Sequence, residues 1–327
     1  MLRRLIPTFR VRVGEDPHMR SLVLGGDGLV GFECAAALRL FSEVVSLSKG
    51  QLDITNHGEL SRMLQLVRPD VVVNAAAFTD VTAAETNVEL ARAVNAFAVG
   101  VLGEEAKRLR FGIVHFSTDY VFDGRKGSPY VETDAPSPIS VYGQTKLDGE
   151  RALQELGAPA VILRTSWLYG FRKKCFVTEI LRLAREQRVV RVVGDQSGNP
   201  TSARELAIVV ALLLNGMGCG GFEGIRDMSG VYHIAGRGMC SRYELAEAAI
   251  SIDPRRKEHV LRKLERLVVG GSIGETAKRH TSSAVPMSIR PLAVDLDCAK
   301  AWSRFGLRLP HWTESLSRAL GERANFV

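Results

Sequence analysis

The chain has 327 residues, of which 46% are hydrophobic and 24% charged, as in ordinary globular proteins with a sizeable core. Neither disorder nor a disulfide-stapled scaffold is expected, and the length suggests a large core domain with a smaller second lobe. The formal net charge of +7 is spread along the chain, and the densest basic stretch, residues 255–266, has no interleaved aromatic residues. This pattern argues against nucleic-acid binding and favours a small anionic ligand.

The spacing of the cysteines and the length of the apolar runs bear on the cellular compartment expected for the protein. The five cysteines are widely separated and no pair has metal-ligand spacing, which predicts reduced thiols in a cytoplasmic protein. The longest apolar run, residues 206–214, is too short to span a bilayer, so no membrane association is expected. Residues 1–18 are arginine-rich and precede the first predicted strand. We interpret them as a disordered tail or as the product of an upstream start ahead of Met19, with a targeting peptide as the alternative.

Strand and helix patterns alternate through the first half of the chain. Short apolar runs predict strands at residues 21–24, 44–47, 70–76, 112–116 and 160–163. Helical patterns lie between them, at residues 29–40, 60–67, 89–110 and 142–156. Two prolines mark residues 133–141 as a loop. The alternation predicts a Rossmann-type α/β domain, a doubly wound parallel sheet with helices on both faces, whose core is residues 19–170.

Strand and helix patterns alternate less regularly in the second half of the chain, where we predict a smaller C-terminal α/β substrate lobe. This lobe is assigned mainly to residues 171–327, with some segments returning to the Rossmann domain. Helices are predicted at residues 176–188, 204–215 and 242–251, and strands at residues 189–193 and 231–234. A glycine-rich turn is expected at residues 216–224 and an exposed loop at residues 270–286. The densest basic stretch, residues 255–266, is interpreted as a solvated helix face.

A glycine triplet joins the first predicted strand to the first predicted helix. Gly25 permits a tight turn, Gly28 lets the backbone approach a pyrophosphate, and Gly31 lets helix and strand pack closely. The helix that begins at Leu29 and Val30 adds unpaired amides and a favourable dipole. Because the triplet follows a strand and opens a helix, we predict dinucleotide binding, with an ordinary turn as the alternative.

The ends of the second and third strands bear on the cofactor type. Many NAD-binding proteins have an acid after the second strand, whereas this chain has Ser48 and Lys49 there and no acid before Asp53. NADPH is therefore the expected cofactor, and NADH stays an alternative. Ala75 and Ala76 lie at the end of the third strand. Their small side chains are expected to let the cofactor pass close to the strand, although plain strand packing explains them equally well.

Tyr142 and Lys146 are the predicted proton-handling pair. Their four-residue interval places both side chains on one face of the helix that begins at Tyr142. A neighbouring ammonium stabilises a phenolate, so Lys146 is expected to lower the pKa of Tyr142 from its ordinary value of about 10. Thr118 follows another strand, and we expect its hydroxyl to hydrogen-bond the same substrate oxygen.

Further motifs extend over residues 20–320. They are GGDGLVG (25–31), LDIT (52–55), PDVVVNAAAFTDV (69–81), HFSTDYVFDG (115–124), SPISVYGQTKLDGE (137–150), RTSWLYG (164–170), DQSGNPT (195–201), GVYHIAG (230–236) and RPLAVDLD (290–297). Together they resemble the extended short-chain dehydrogenases/reductases and, within them, the dTDP-4-dehydrorhamnose reductases. The resemblance implies that the chain reduces the C4 ketone of dTDP-4-dehydro-L-rhamnose to dTDP-L-rhamnose with NAD(P)H.

The resemblance also implies roles for individual residues. Tyr142 is then the proton donor, Lys146 orients the nicotinamide ribose, and Thr118 assists proton transfer. The implied cofactor contacts are Gly28, Leu29 and Val30 at the pyrophosphate, Asp53 and Ile54 at the adenine, and Ala77, Phe78 and Thr79 beyond the third strand. The expected contacts with the sugar nucleotide are Thr79, Val81, Thr118, Asp119, Tyr120 and Trp167.

Two alternatives to this function stay open. One is a reductase of another nucleotide-linked 4-keto-6-deoxy sugar, because residues 252–286 look longer and more basic than the family pattern. The other is a non-catalytic regulatory subunit of the methionine adenosyltransferase type, whose pattern has SSDYVF and lacks the tryptophan found here at position 167. The magnesium-binding glutamates of some family members have no match in this chain, so no metal is predicted. A homodimer is left open as the assembly.

Overall fold

The computed structural model describes residues 19–216, 221–268 and 290–324. Its strands are β1 (Arg20–Leu24), β2 (Glu43–Leu47), β3 (Val71–Asn74), β4 (Gly112–Thr118), β5 (Ala160–Thr165), β6 (Leu168–Tyr169), β7 (Val189–Val193), β8 (Ser197–Gly198), β9 (Thr201–Ser202), β10 (Gly230–His233), β11 (Cys240–Ser241) and β12 (Lys263–Leu267). Its α-helices are α1 (Leu29–Leu38), α2 (His57–Val67), α3 (Val81–Thr86), α4 (Val88–Arg92), α5 (Ala98–Leu109), α6 (Val141–Glu155), α7 (Phe176–Glu186), α8 (Ala203–Gly216), α9 (Gly221–Asp227), α10 (Arg242–Ile252), α11 (Ala299–Phe305) and α12 (Trp312–Ala324).

Six parallel strands form the central sheet in the order β10-β5-β4-β3-β1-β2. Every residue of β3, β4 and β5 is buried, because helices cover both faces of the sheet. The chain passes from β1 to β2 on one side and then returns to β3 on the other, so the strand order reverses beside β1. The predicted doubly wound Rossmann-type fold is confirmed. In such folds ligands bind at the carboxyl ends of the strands next to this reversal.

Two helical layers cover the sheet. On one face α1, α8 and α9 bury Cys34, Leu206 and Ile225, and on the other α2 and α6 bury Leu64 and Leu153. Truncating such fully buried aliphatic side chains to alanine typically costs about 2–5 kcal/mol. β10, α8 and α9 come from the second half of the chain, yet they belong to this domain. Among the described residues, no helix has the length and apolar character needed to cross a membrane.

A second group of helices, α7, α10 and α12, has its own core around Leu181, Leu245 and Leu316. Beside it, β7 pairs in parallel with β12, and Val190 and Val192 of β7 are buried against α7 and α10. This group lies at the carboxyl side of the sheet, because the loop after β5 leads directly into it. The boundary of the lobe at residue 171 stays a prediction.

Two predictions for the second half are wrong. The basic stretch at residues 255–266 is not a helix face: a short 3-10 turn, Arg256–Glu258, leads into β12. The strand forms because Leu264 packs against the core beneath β7, while its charged neighbours face outward. The glycine-rich turn predicted up to residue 224 is replaced by α9, which starts at residue 221. Residues 217–220 of that turn and the loop predicted at residues 270–286 lie outside the described residues.

The long helix predicted at residues 89–110 is interrupted by a π-helical turn, Ala93–Phe97, between α4 and α5. The turn places the buried side chain of Asn95 between two segments. Its amide nitrogen donates to the carbonyl oxygen of Phe78 (3.1 Å) and to Oγ1 of Thr145 (3.1 Å), and its oxygen accepts from the amide of Phe78 (2.9 Å). Local widening of a helix is common next to functional sites. Here it fixes the segment after β3 against α6.

Candidate active site

A cavity of about 1230 Å³ lies at the carboxyl ends of the central strands. The sequence-predicted residues that line it are Gly25, Gly28, Leu29, Val30, Lys49, Asp53, Ile54, Ala75, Ala76, Ala77, Phe78, Thr79, Val81, Thr118, Asp119, Tyr120, Tyr142, Lys146 and Trp167. Gly31 and Ser48 lie beside the cavity without lining it. Residues predicted for the cofactor, the substrate and the chemistry are thus brought to one space.

The glycine turn fits an anion at the amino end of α1. Gly25 has φ +74°, and a Cβ there would lie 2.8 Å from the backbone of Ala76. A Cβ on Gly31 would lie 2.2 Å from the carbonyl oxygen of Gly25, so Gly31 serves the packing of helix on turn. No side chain in the described part of the chain caps this helix at Gly28, and Gly28, Leu29 and Val30 at its start line the cavity. Open amides and the helix dipole together suit a pyrophosphate.

The end of the cavity beyond β2 contains the ammonium of Lys49 and the carboxylate of Asp53, which is already hydrogen-bonded. Asp53 accepts hydrogen bonds from the amide (3.0 Å) and hydroxyl (2.7 Å) of Thr55, which hold the pKa of its carboxyl below the ordinary value. The hydroxyl of Ser48 donates to Oε1 of Gln51 at 2.9 Å. Lys49 lines the cavity beside Asp53. Beyond β2, therefore, the ammonium of Lys49 is available to an anionic group, which suits a 2′-phosphate.

Tyr142 and Thr118 meet at the centre of the cavity. Ser140 caps α6 by accepting a hydrogen bond from the amide of Gly143 (3.1 Å), so the helix begins immediately before Tyr142. A hydrogen bond joins the hydroxyl groups of Tyr142 and Thr118. The ring of Tyr142 packs edge-on against Tyr120, with ring centroids 5.5 Å apart. The phenol is therefore held at its hydroxyl and at its ring.

The expected lowering of the pKa of Tyr142 is wrong. Burial raises the pKa of Tyr142 above its ordinary value, and the hydrogen bond with Thr118 opposes that rise only in part. The ammonium of Lys146 is bound elsewhere: it donates to the carbonyl oxygen of Phe116 at 2.6 Å and lies 3.3 Å from Nε2 of His115. Tyr142 is thus a protonated phenol at neutral pH, the form that can donate a proton.

Lys146 itself is almost fully buried, and burial lowers its pKa to about 8. Glu150, one turn further along α6, opposes this lowering. The carboxylate of Glu150 is shared with Arg164 of β5, through contacts of 2.7–3.1 Å, and with the hydroxyl of Ser117. His115, Glu150 and Arg164 were not singled out from the sequence. The signal for Glu150 is its spacing of four residues from Lys146, whereas His115 looks like an ordinary strand residue.

The substrate side of the cavity contains a buried carboxyl and an aromatic wall. Asp119 accepts from the hydroxyls of Ser166 (2.9 Å) and Thr118 (3.1 Å), and burial raises its pKa to about 6. Trp167 adopts φ +41°, and its ring covers Gly198, where a Cβ would lie 2.6 Å from the indole. Only a glycine at 198 leaves room for the ring in this position.

Two arginines that the sequence did not reveal complete this wall. The guanidinium of Arg242 stacks 3.8 Å above the Trp167 ring and 4.9 Å from that of Phe176. Arg290 is hydrogen-bonded to Tyr120, and both arginines line the cavity. Burial, together with the charge of Arg290, contributes to lowering the pKa of Arg242. Two cations this close to one another form a site for an anionic group.

Sequence and structure comparisons identify the family. The model of the RmlD substrate binding domain matches residues 19–325. The chain belongs to this family. It is 38% identical over 301 residues to the dTDP-4-dehydrorhamnose reductase of Burkholderia thailandensis, covering 90% of this chain and 95% of that one. It is 34% identical over 312 residues to the reductase of the same name from Escherichia coli K12, covering 93% and 98%.

Solved structures give the same family. The dTDP-4-dehydrorhamnose reductase of Bacillus anthracis, determined in complex with NADP, superposes with a TM-score of 0.79 at 28% identity, covering 93% of this chain and 99% of that one. An orthologue from Clostridium acetobutylicum gives a TM-score of 0.81 at 30% identity, covering 94% and 100%. The family resemblance read from the motifs is therefore confirmed. The roles of individual residues in this RmlD-family chain stay predictions.

The segment after β6 is a further part of the site that the sequence did not predict. It crosses the glycine turn: a Cβ on Gly170 would lie 2.8 Å from the Leu29 side chain, and the Arg172 guanidinium lies 3.5 Å from the centroid of the Phe32 ring. An ion pair of 3.2 Å joins the next residue, Lys173, to an acid in the glycine turn. In this RmlD-family chain the segment that leads into α7 is therefore attached directly to the glycine turn.

Proposed function

We propose that the chain reduces the C4 ketone of dTDP-4-dehydro-L-rhamnose to dTDP-L-rhamnose with NADPH. Relatives that match along almost their whole length carry the name of this reductase. The observation that supports the chemistry is the hydrogen-bonded pair Tyr142 and Thr118, which lies in the same cavity as the uncapped amino end of α1. A hydride source and a proton source are thereby directed to one space.

The proton comes from Tyr142. NADPH, when bound, supplies the hydride to C4, and the ketone oxygen then needs one proton to become a hydroxyl. Burial keeps Tyr142 protonated at neutral pH, so the proton is present on its hydroxyl, and stabilisation of the phenolate determines how readily that proton leaves. Thr118 interacts with the phenolic oxygen, and its hydroxyl stabilises the phenolate that forms by turning its single proton from Asp119 to that oxygen.

Lys146 supports this transfer from one helical turn away. The carbonyl oxygen of Phe116 fixes its ammonium at 2.6 Å, so the charge is held at the wall of the cavity that Tyr142 also lines. A fixed positive charge stabilises developing negative charge without needing to reorganise. Lys146 is also placed to orient the nicotinamide ribose, as the family resemblance implies.

The cofactor preference follows from the residues beyond β2. Lys49 faces the cavity, and the carboxylate of Asp53 is already bound by Thr55. A 2′-phosphate therefore gains an ammonium partner there. The Bacillus anthracis relative was solved with NADP, which supports NADPH for this chain, with NADH as a weaker substitute.

The nucleotide end of the substrate is assigned to the wall formed by Arg242 and Arg290. A diphosphate carries two negative charges, and the pair of guanidinium groups supplies the matching cations. Trp167 then covers the sugar on the side towards Asp119. The free cysteines at positions 34, 175, 240 and 298 support action in the cytoplasm, and a homodimer stays a prediction for size-exclusion chromatography to test.

The deciding experiment is an NADPH-oxidation assay over a panel of nucleotide-linked 4-keto-6-deoxy sugars, with products identified by mass spectrometry and NMR. We expect dTDP-4-dehydro-L-rhamnose to be converted to dTDP-L-rhamnose. Tyr142→Phe removes only the hydroxyl, so cofactor binding is expected to survive while kcat falls about 10²–10⁴-fold. Full conversion of a different sugar with none of this one, or full activity of Tyr142→Phe, would contradict the proposal.

A further inference from the structure

A row of buried polar side chains lies behind the catalytic pair and crosses three elements of the fold. Asn74 ends β3, His115 lies beside it on β4, and Lys146 projects from α6; all three side chains are at most 2% exposed. Nδ2 of Asn74 lies 3.1 Å from Nδ1 of His115, and Nε2 of His115 lies 3.3 Å from Nζ of Lys146. The row thus connects the end of a strand to the lysine ammonium through an imidazole.

The orientation of Asn74 determines where His115 carries its proton. The amide of Ala76 donates to Oδ1 of Asn74 at 3.3 Å, so it is the amide nitrogen of Asn74 that faces the imidazole. That nitrogen is a donor, so Nδ1 of His115 accepts. A neutral imidazole has one donor and one acceptor, and the proton therefore lies on Nε2. Burial, followed by the charge of Lys146, holds the pKa of His115 well below its ordinary value, which keeps the ring neutral.

This tautomer directs an N–H group at Lys146. An ammonium has three donors and no acceptor, whereas a neutral amine has a lone pair that accepts the Nε2 proton. If Lys146 is charged and His115 moves its proton to Nδ1, the imidazole and Asn74 then face each other with two donors. The row therefore satisfies all its hydrogen bonds only when Lys146 is neutral.

We infer that Asn74, by fixing the Nε2–H tautomer of His115, weakens the binding of a proton by Lys146. Asn74 and His115 are thus positioning residues that act through Lys146. Their effect on turnover rests on the proposed function, whereas the tautomer itself does not.

Other titratable and charged groups also lie around Lys146. On its own helix Tyr142 is an uncharged phenol, and Glu150 favours the charged lysine but is held by Arg164 of β5. Asp119, on the turn after β4, faces Tyr142. Burial lowers the pKa of Lys146 to about 8, and the row acts in the same direction. The consequence is a lysine that loses its proton just above neutral pH, which gives activity an alkaline limit.

The first test needs no substrate. Long-range ¹⁵N–¹H NMR of histidine-labelled, ligand-free protein distinguishes Nε2–H, Nδ1–H and charged imidazole, and His115→Phe assigns the signal. We expect an uncharged Nε2–H ring throughout pH 6–9, a range that extends to both sides of the Lys146 pKa of about 8. An Nδ1–H or charged His115 in the unaltered protein overturns the inference, whether or not any variant folds.

The second test reverses the tautomer. Asn74→Asp replaces the donor that faces His115 with an acceptor, so His115 is expected to switch to Nδ1–H and to offer Nε2 as an acceptor to the ammonium of Lys146. The alkaline limb of the kcat/KM profile is then expected to move upward by about one pH unit. An unchanged tautomer in the folded variant overturns the inference.

A double variant separates the row from simple charge. In Asn74→Asp with His115→Phe the new carboxylate is kept but the imidazole is gone, so the shift of the alkaline limb is expected to disappear. An equal shift in the double variant shows a direct charge effect and overturns the role of His115. If the protein shows the predicted tautomer but reduces none of the sugars, only the proposed function is contradicted. Failure of the inference and failure of the proposed function are therefore distinguishable.

Discussion

The buried ion pair between Glu150 and Arg164 connects α6, which carries the catalytic pair, to β5 of the central sheet. The two side chains are 0% and 4% exposed and make three N–O contacts of 2.7–3.1 Å. Within the described residues, Nη1 of Arg164 is buried without a partner, so the guanidinium depends on Glu150. Removing one member of such a pair leaves an uncompensated buried charge and typically costs about 3–5 kcal/mol. We expect Glu150→Gln to lower the free energy of unfolding by that amount.

Urea unfolding followed by circular dichroism measures this loss. Glu186→Gln is the matched control, because it removes an exposed partner of Arg182 on α7, where both side chains are about half exposed, and exposed pairs contribute about 0.2–1 kcal/mol. Glu150→Leu combined with Arg164→Met removes both charges together and is expected to restore most of the stability. A loss for Glu150→Gln no larger than that of the control would refute the reasoning, as would a double variant less stable than the single one.

Three further predictions concern Lys49, Gly31 and Asp119, which lie in or beside the cavity. Lys49→Glu is expected to weaken NADPH binding by at least about tenfold while changing NADH binding little, measured by fluorescence titration of both cofactors; equal effects on both would contradict the 2′-phosphate assignment. Gly31→Ala places a Cβ 2.2 Å from the Gly25 carbonyl oxygen, so the turn must shift and the affinity for NADPH is expected to fall more than with Ala37→Gly on the same helix. Asp119 binds its proton more tightly in the folded state, with a pKa of about 6 against about 3.9 for an unperturbed aspartate. The free energy of unfolding is therefore expected to fall by about 1–3 kcal/mol between pH 4 and pH 6 relative to Asp119→Asn. Parallel pH profiles of unfolding free energy for the two proteins would contradict the raised pKa of Asp119.

The sheet and its ligand edge were predictable because their determinants are local. Val71–Asn74 is a continuous apolar run ended by small residues, and such a run suits a strand covered on both faces. Gly25, Gly28 and Gly31 each avoid a clash with backbone, so the spacing alone indicates the turn. The interval between Tyr142 and Lys146 likewise follows from one helix.

What the sequence did not reveal depends on contacts between distant segments. β12 is rich in charged residues that are also good helix formers, and it becomes a strand only because β7 provides a partner 74 residues away in sequence. Asn95 looks like an unremarkable helical residue, and its π turn is explained by bonds to Phe78 and Thr145. Arg242 joins the site because α10 brings it over Trp167. Local propensity contains no information about any of these partners.

The pKa of Tyr142 shows how tertiary structure changes a conclusion drawn from spacing. A lysine four residues away argues for an acidic phenol, but the Lys146 ammonium is bound to the Phe116 carbonyl oxygen and lies next to His115, while burial acts on the phenol directly. A phenol with a raised pKa is protonated at neutral pH, but it is a weaker acid than a free tyrosine. Its proton therefore moves to the ketone oxygen only if the phenolate is stabilised as it forms, and the hydroxyl of Thr118, which opposes the rise in pKa, is placed to do this. The spacing along the helix thus pointed to Lys146, whereas the structure adds Thr118 as the group that interacts with the phenolic oxygen.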